Sequence, residues 1–136
     1  MKKVFVDTGA WYALVDGRDP DHKSIVQALR RDRGLLLTSN YVFDEAITLL
    51  RYRCSHRSAQ RLGEALRGGA LAQIVRVSTG DEEQAWTTFV RYGDKTLSFT
   101  DCTSFAVMRR LKLRKVIGLD RDFRRMGFQQ FPNHSS

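Results

Sequence analysis

Two cysteines, two prolines and three histidines are all that 136 residues contain, and each scarcity removes a class of protein. Cys54 and Cys102 make neither a C-x-x-C pair nor a disulfide framework, so both thiols are expected reduced and semi-buried. His22, His56 and His134 are scattered without metal-ligand spacing, which argues against a zinc site. Pro20 and Pro132 do not divide the chain, and there is no repeat, low-complexity tract or linker. One domain over 1–136 is expected, large enough to bury about two thirds of the surface its unfolded chain exposes. No stretch approaches the roughly 20 apolar residues of a membrane span. The opening "MKKVFVDTG" has three apolar residues before Asp7, too few for the apolar core of a signal peptide. The expected location is therefore the cytoplasm, with no membrane association.

Negative charge is also short. Against 23 Lys and Arg stand 15 Asp and Glu, a net +8 with a pI of about 10.0. Such a surface attracts polyanions. Arginine outnumbers lysine, and guanidinium suits bidentate contacts with phosphate.

Apolar runs and helical stripes alternate along the chain. Residues 3–6 read as a short buried strand, with "GAWYALVD" as a helix after it. "RDPDHKSIVQALRRDRG" predicts a helix with Asp19 as N-cap, Pro20 at its first position, Ile25, Val26 and Leu29 on one face, and Gly34 as its stop. "LLLT" reads as a strand. "SNYVFDEAITLLRYR" follows as a helix capped by Ser39, with Val42, Ala46, Leu49 and Leu50 on one stripe. A break near Ser55 separates it from a helix in "SHRSAQRLGEALRGG", with Leu62, Ala65 and Leu66 apolar, which ends at Gly68-Gly69. "AQIVRVS" returns as a strand. "STGDEEQAWTTFVRYG" has acids in its first turn and is expected to turn Ala85, Trp86, Phe89 and Val90 inward. "FTDCTSFAVMRRLKL" reads as a helix capped near Thr100, "KVIGL" as a buried strand and "FQQF" as a last short one. Apolar strands without polar alternation, separated by helices, predict an α/β fold with a central parallel sheet covered on both faces.

Four acids stand out on that map, because ligands of open α/β sheets bind at the carboxyl ends of the strands. Asp7 ends the first strand and Asp120 follows "KVIGL". Asp101 sits at the start of a helix, and Glu45 lies in the first turns of the helix after "LLLT". Singly, each has an ordinary explanation: Asp101 as a capping residue, Glu45 (or its neighbour Asp44) as a solvated helix residue, Asp120 (or Asp122) as a turn former. Asp7 is hardest to dismiss, since a strand end followed by Thr-Gly needs no carboxylate. Together they are costly, because two carboxylates ~5 Å apart repel by roughly 3 kcal/mol at an effective dielectric of ~20. Against a total stability of about 5 to 15 kcal/mol, four such groups call for a cation. Hard oxygen ligands without His or thiolate select Mg²⁺ or Mn²⁺. The other residues carry 23 basic charges against 11 acids, a balance of +12. An acidic point in a cationic field is the layout of a metal-dependent nuclease. Arg109, Arg110, Lys112, Arg114, Lys115, Arg121, Arg124 and Arg125 are candidates to contact a phosphate backbone.

The segments "VFVDTGAWYALVD", "LTSNYVFDEAITLL", "LSFTDCTSFAVM" and "VIGLDRDF" match, in order, spacing and chain length, the four acidic motifs of PIN-domain proteins. The chain resembles, more narrowly, the ribonuclease toxins of VapBC-type toxin–antitoxin pairs. The resemblance implies a PIN-like three-layer α/β/α fold and metal-site and catalytic roles for Asp7, Glu45, Asp101 and Asp120. Thr8 and Thr100 match hydroxyl positions that orient the acids or bind water. Many relatives carry histidine where this chain has Asp122, which leaves Asp122 as an added ligand or a solvent-facing residue. The implied activity is Mg²⁺- or Mn²⁺-dependent hydrolysis of RNA phosphodiesters by metal-activated water, with no covalent nucleophile. The implied partners are an RNA substrate, a small antitoxin that enters the active site, and a second copy in a homodimer. The alternatives are a non-catalytic RNA-binding or regulatory module of the same fold and, less well matched, an aspartate-dependent phosphatase, which would place paired acids near Asp7.

Overall fold

The computed structural model describes residues 2–133; His134 and the last two serines lie outside the described residues. Five short strands, β1 (Val4–Val6), β2 (Leu36–Ser39), β3 (Gln73–Val75), β4 (Lys115–Ile117) and β5 (Gln129–Phe131), form one sheet in the order β3-β2-β1-β4-β5. Every pairing is parallel, with Phe5 beside Leu37 on one side and Val116 on the other. Seven helices connect them: α1 (Thr8–Val15), α2 (His22–Arg31), α3 (Asn40–Arg53), α4 (His56–Arg67), α5 (Thr79–Arg91), α6 (Phe99–Arg110) and α7 (Asp122–Arg125). The chain steps from β1 outward to β2 and β3, then crosses back past β1 to β4 and β5. Because such crossovers are right-handed, the reversal puts helices on both faces of the sheet. The result is the expected three-layer α/β/α arrangement.

The central strands are apolar because both of their faces are covered. Val4, Phe5, Val6, Val116 and Ile117 are all buried. Trp11 of α1, Phe105 of α6 and Phe123 of α7 are fully buried in the same core. Phe105 meets Phe123 edge-on at 5.0 Å and stacks with Phe128 at 5.9 Å, which ties α6 to the β4–β5 connection.

Ser39 caps α3 as expected, its hydroxyl accepting from the Val42 amide, and the chain breaks at Cys54-Ser55 before α4. Several local expectations are corrected. Helix α2 begins at His22, because Asp19 accepts the Asp21 amide at 2.8 Å and closes a turn instead of capping a helix. Helix α6 is capped by Ser98, two residues before Thr100. The strand expected over "AQIVRVS" has only three residues, and Ala65 of α4 faces outward. The larger correction concerns α5. Of its expected inward set only Ala85 is buried, while Trp86 (58%), Phe89 (40%) and Val90 (62%) are exposed. A polar contact also ties α5 to α6: Asp81, buried, receives three hydrogen bonds of 2.8–3.1 Å from the Arg110 guanidinium on α6.

Candidate active site

The sheet order reverses at β1, with β2 on one side and β4 on the other, and the crevice of an open α/β fold opens at such a switch point. Asp7 is the first residue past β1, and its backbone N–H donates to the Ile117 carbonyl of β4 at 3.0 Å. Its carbonyl accepts from the Ala10 and Trp11 amides, so Asp7 is both the end of the strand and the N-cap position of α1. Its side chain makes no capping bond, and Oδ1 is buried without any hydrogen-bond partner. The adjacent Thr8 hydroxyl is likewise buried and unpartnered. Buried polar atoms are nearly always paired, so two orphans on consecutive residues mark a place shaped for something else.

The other acids converge on Asp7 from three further segments. Asp101 lies in the first turn of α6 inside a capping box: its Oδ2 accepts the Ser98 amide at 3.0 Å, and its own amide donates to the Ser98 hydroxyl at 3.0 Å. Asp120 Oδ1 accepts the Asp122 amide at 2.9 Å. Each of these carboxylates thus spends one oxygen on the backbone that aims it. Glu45, half-buried on α3, acts electrostatically on both Asp7 and Asp101, whereas Asp44 is exposed. The choice between those neighbours therefore falls on Glu45.

The electrostatics are those of crowded carboxylates. Burial first, then Asp101, Glu45 and Asp120, hold the Asp7 carboxyl well above its usual range, and the Thr8 amide offsets only part of this. Burial pushes Asp101 up to about 6, helped by Asp120 and Glu45 and opposed by the Ser98 bonds. Burial also raises Asp120, with Asp122 adding to it. Among the described residues no three His, Cys, Asp or Glu side chains are converged into a finished metal cage. The acids face one another at electrostatic range. Carboxylate oxygens are the donors of an ion that binds one or two carboxylates and keeps several waters, as Mg²⁺ does. The donor set is hard oxygen throughout, so the residues present fit such an ion.

Three contributors were not singled out in the sequence. Ser98 positions Asp101, and its signature, Ser followed three residues later by an acid, is legible as a capping box. Gly118 lets β4 approach β1, because a Cβ there would lie 3.2 Å from Asp7 Cβ. Ser104, one turn beyond Asp101, buries an unpartnered hydroxyl, which no sequence signal marks. Asp122 does not face solvent: it is buried beside Asp120 and paired to Arg125 at 3.2 Å, and its amide holds the Asp120 carboxylate. The arginines also sort themselves. Arg110 is consumed by Asp81 and the Arg76 carbonyl, and Arg124 bonds Asn133, so Arg110 is withdrawn as a phosphate contact. The thiols take no part in the site. Cys102 is buried, with burial and Asp101 pushing its pKa up to about 11, and Cys54 lies 3.9 Å from the Tyr12 hydroxyl.

Comparison with known proteins agrees with this geometry. The PIN domain family matches residues 4–129. The chain is 38% identical over 125 residues to the 23S rRNA-specific endonuclease VapC20 of Mycobacterium tuberculosis, covering 92% of this chain and 95% of that one. The crystal structure of that protein, described as a Sarcin-Ricin loop cleaving toxin, superposes with a TM-score of 0.88 at 36% identity over 93% of this chain and 96% of the other. A toxin-antitoxin complex from Klebsiella pneumoniae shares the fold alone, with a TM-score of 0.65, 16% identity and 88% of each chain covered. A buried acid at the end of β1, three more brought around it by α3, α6 and the β4 exit, and these relationships together establish that the chain belongs to the PIN-domain family, in its VapC ribonuclease branch.

Proposed function

We propose that this chain is a divalent-metal-dependent endoribonuclease, with Mg²⁺ or Mn²⁺ as its ion, acting as the toxin of a toxin–antitoxin pair in the cytoplasm. The observation that carries the reading is the meeting of Asp7, Glu45, Asp101 and Asp120 at the switch point of a chain whose net charge is +8. Asp7, Glu45, Asp101 and Asp120 would hold the ion. When bound, a divalent cation acidifies a water and neutralises phosphate charge, so no side chain has to become a covalent nucleophile.

The chain's own residues supply the rest. Asp7 presents Oδ1 without competing hydrogen bonds, the Ser98 box fixes Asp101, and the Asp122 amide fixes Asp120. The cationic surface draws in the polyanion, and the acids confine cation binding to one point. The 38% identity to a 23S rRNA-specific endonuclease favours ribosomal RNA as the substrate class. Likeness to toxin–antitoxin assemblies supports a small antitoxin as inhibitor, with the acidic site as its target. A second copy of the chain is the occupant proposed for the aromatic face of α5, where Trp86 and Phe89 stack at 5.7 Å in the open.

The deciding experiment is cleavage of purified ribosomes and total RNA by the protein with Mg²⁺, with Mn²⁺, with chelator, and with Asp7→Asn. Discrete fragments that require both the ion and Asp7 are expected. Binding without cleavage under every ion tried, with antitoxin demonstrably absent, would replace the enzyme by a non-catalytic RNA-binding module.

A further inference from the structure

The opposite end of the sheet carries a feature that chemistry at the acids does not use. Lys2 and Lys3 lead into β1, Arg114 and Lys115 open onto β4, and Gln129 begins β5. Because those three strands are parallel neighbours, the fold sets their leading residues side by side, around a cavity of about 340 Å³. Four cations and one amide line it, and no acid does.

Two of the cations are held in place. Lys3 Nζ donates to the Gly34 carbonyl at 3.4 Å, and Lys115 lies 3.6 Å from Asp32 and 4.9 Å above the Phe131 ring. Asp32 is shared with Arg31 at 3.4 Å, so it does not neutralise the group. Among the described residues neither the Lys2 ammonium nor the Arg114 guanidinium has a hydrogen bond or an ion pair, and both residues are exposed. Four like charges gathered around one concavity, two anchored and two unpaired, raise a local positive potential that only an anion relieves. The Arg114 fork is suited to two phosphate oxygens at once, and Gln129 adds a neutral donor.

The cavity cannot serve the same nucleotide as the acids. Lys3 and Asp7 stand at opposite ends of β1, four residues or about 13 Å apart at strand spacing. We propose that this cavity is an exosite for the phosphate backbone of a second segment of a folded RNA, one whose scissile segment lies at the acids. The proposal rests on the ribonuclease reading and deepens it, since it gives the enzyme a preference for folded over short single-stranded RNA.

The test uses the full chain carrying Asp7→Asn, so that binding is read without cleavage. Its probes are a folded 23S rRNA transcript and a ten-nucleotide single strand, titrated across a salt series. Lys2→Ala with Arg114→Ala is expected to weaken binding of the transcript about tenfold or more while leaving the short strand within about twofold. The slope of log affinity against log salt should fall by roughly 0.7 to 0.9 for each phosphate that the variant no longer neutralises. Lys2→Arg, which keeps the charge, should retain affinity, and Arg67→Ala, exposed on α4, should change nothing. Equal loss for both RNAs, or no loss for either, overturns the exosite. Should the double variant melt abnormally, Lys2→Ala alone, outside every strand and helix, carries the same comparison. Cleavage of the transcript by the otherwise wild-type protein is measured in parallel. Cleavage indifferent to Lys2 and Arg114 sinks the exosite alone, and salt-sensitive binding at the cavity without cleavage sinks the nuclease alone.

Discussion

At Gly118 the two central strands come so close that a methyl group would press on Asp7, 3.2 Å from its Cβ. Asp7 Cβ is not the tip of a flexible side chain, so Gly118→Ala should shift the carboxylate by a few tenths of an ångström. The expected outcome is about a tenfold loss in kcat/KM for RNA cleavage with a stability loss near 1 kcal/mol, checked by kinetics beside thermal melting. Asp101 makes the complementary statement. Its folded-state carboxyl lies near 6 against 3.8 ordinarily, so between those values the native state holds the extra proton. Stability of the metal-free protein must then fall as pH rises from about 4 through 6, by at most about 3 kcal/mol from this group. Melting in chelator should rise on acidification from pH 7 to 5. Asp101→Asn should raise the melting temperature at pH 7 by several degrees and flatten that profile, and saturating Mg²⁺ should do the same. A lower melting temperature for the variant in chelator would mean that the carboxylates do not repel.

Helix α5 is joined to α6 by a buried ion pair as well as by apolar packing. Burial raises the Asp81 carboxyl, but bonds from Arg110 and Ser78 outweigh it and leave it below its usual range, so the pair stabilises the fold at neutral pH and is lost only in strong acid. Arg110→Ala strands a buried carboxylate and should cost about 2 kcal/mol, read by denaturant unfolding, with the α5–α6 amides losing exchange protection first. The helices were largely legible in the sequence, because capping residues such as Ser39 and stripes such as Val42, Ala46 and Leu50 are local signals. Their boundaries were less so. Asp19 and Pro20 look like a helix start, yet the Asp19 side chain satisfies a turn first. The orientation of α5 was not legible at all, since Trp86, Phe89 and Val90 have the period of a buried face whether the partner is this chain or another.

Across the whole molecule, charge and apolar surface are separated into faces. The acids occupy the carboxyl end of the sheet, Lys2, Lys3, Arg114 and Lys115 its amino end, and the aromatic side of α5 a third surface that also touches Phe99, two residues before Asp101. If a second copy covers α5, Trp86→Glu should convert a dimer into a monomer of the same fold, measured by light scattering after size exclusion. A wild-type monomer at tens of micromolar would remove that assignment. Because Phe99 bridges the face and the active-site helix, the monomeric variant is also expected to cleave RNA several-fold more slowly.

Alternating apolar runs and amphipathic stripes determined the layered α/β architecture from sequence, because strand and helix periods are local properties of the chain. The four acids could be proposed from sequence too, since each stands at a strand end or in a helix's first turns and parallel topology sends all such positions to one end of the sheet. Only the tertiary structure decided between Glu45 and Asp44, turned Asp122 into a partner of Arg125 and a support for Asp120, and withdrew Arg110 into the pair with Asp81. It alone set Lys2 and Lys3 beside Arg114 and Lys115, more than a hundred residues away along the chain. The physical reason is the same in each case: which way a side chain points, and which distant charge it meets, follows from the packing of elements against one another, and that packing has no signature in any one of them.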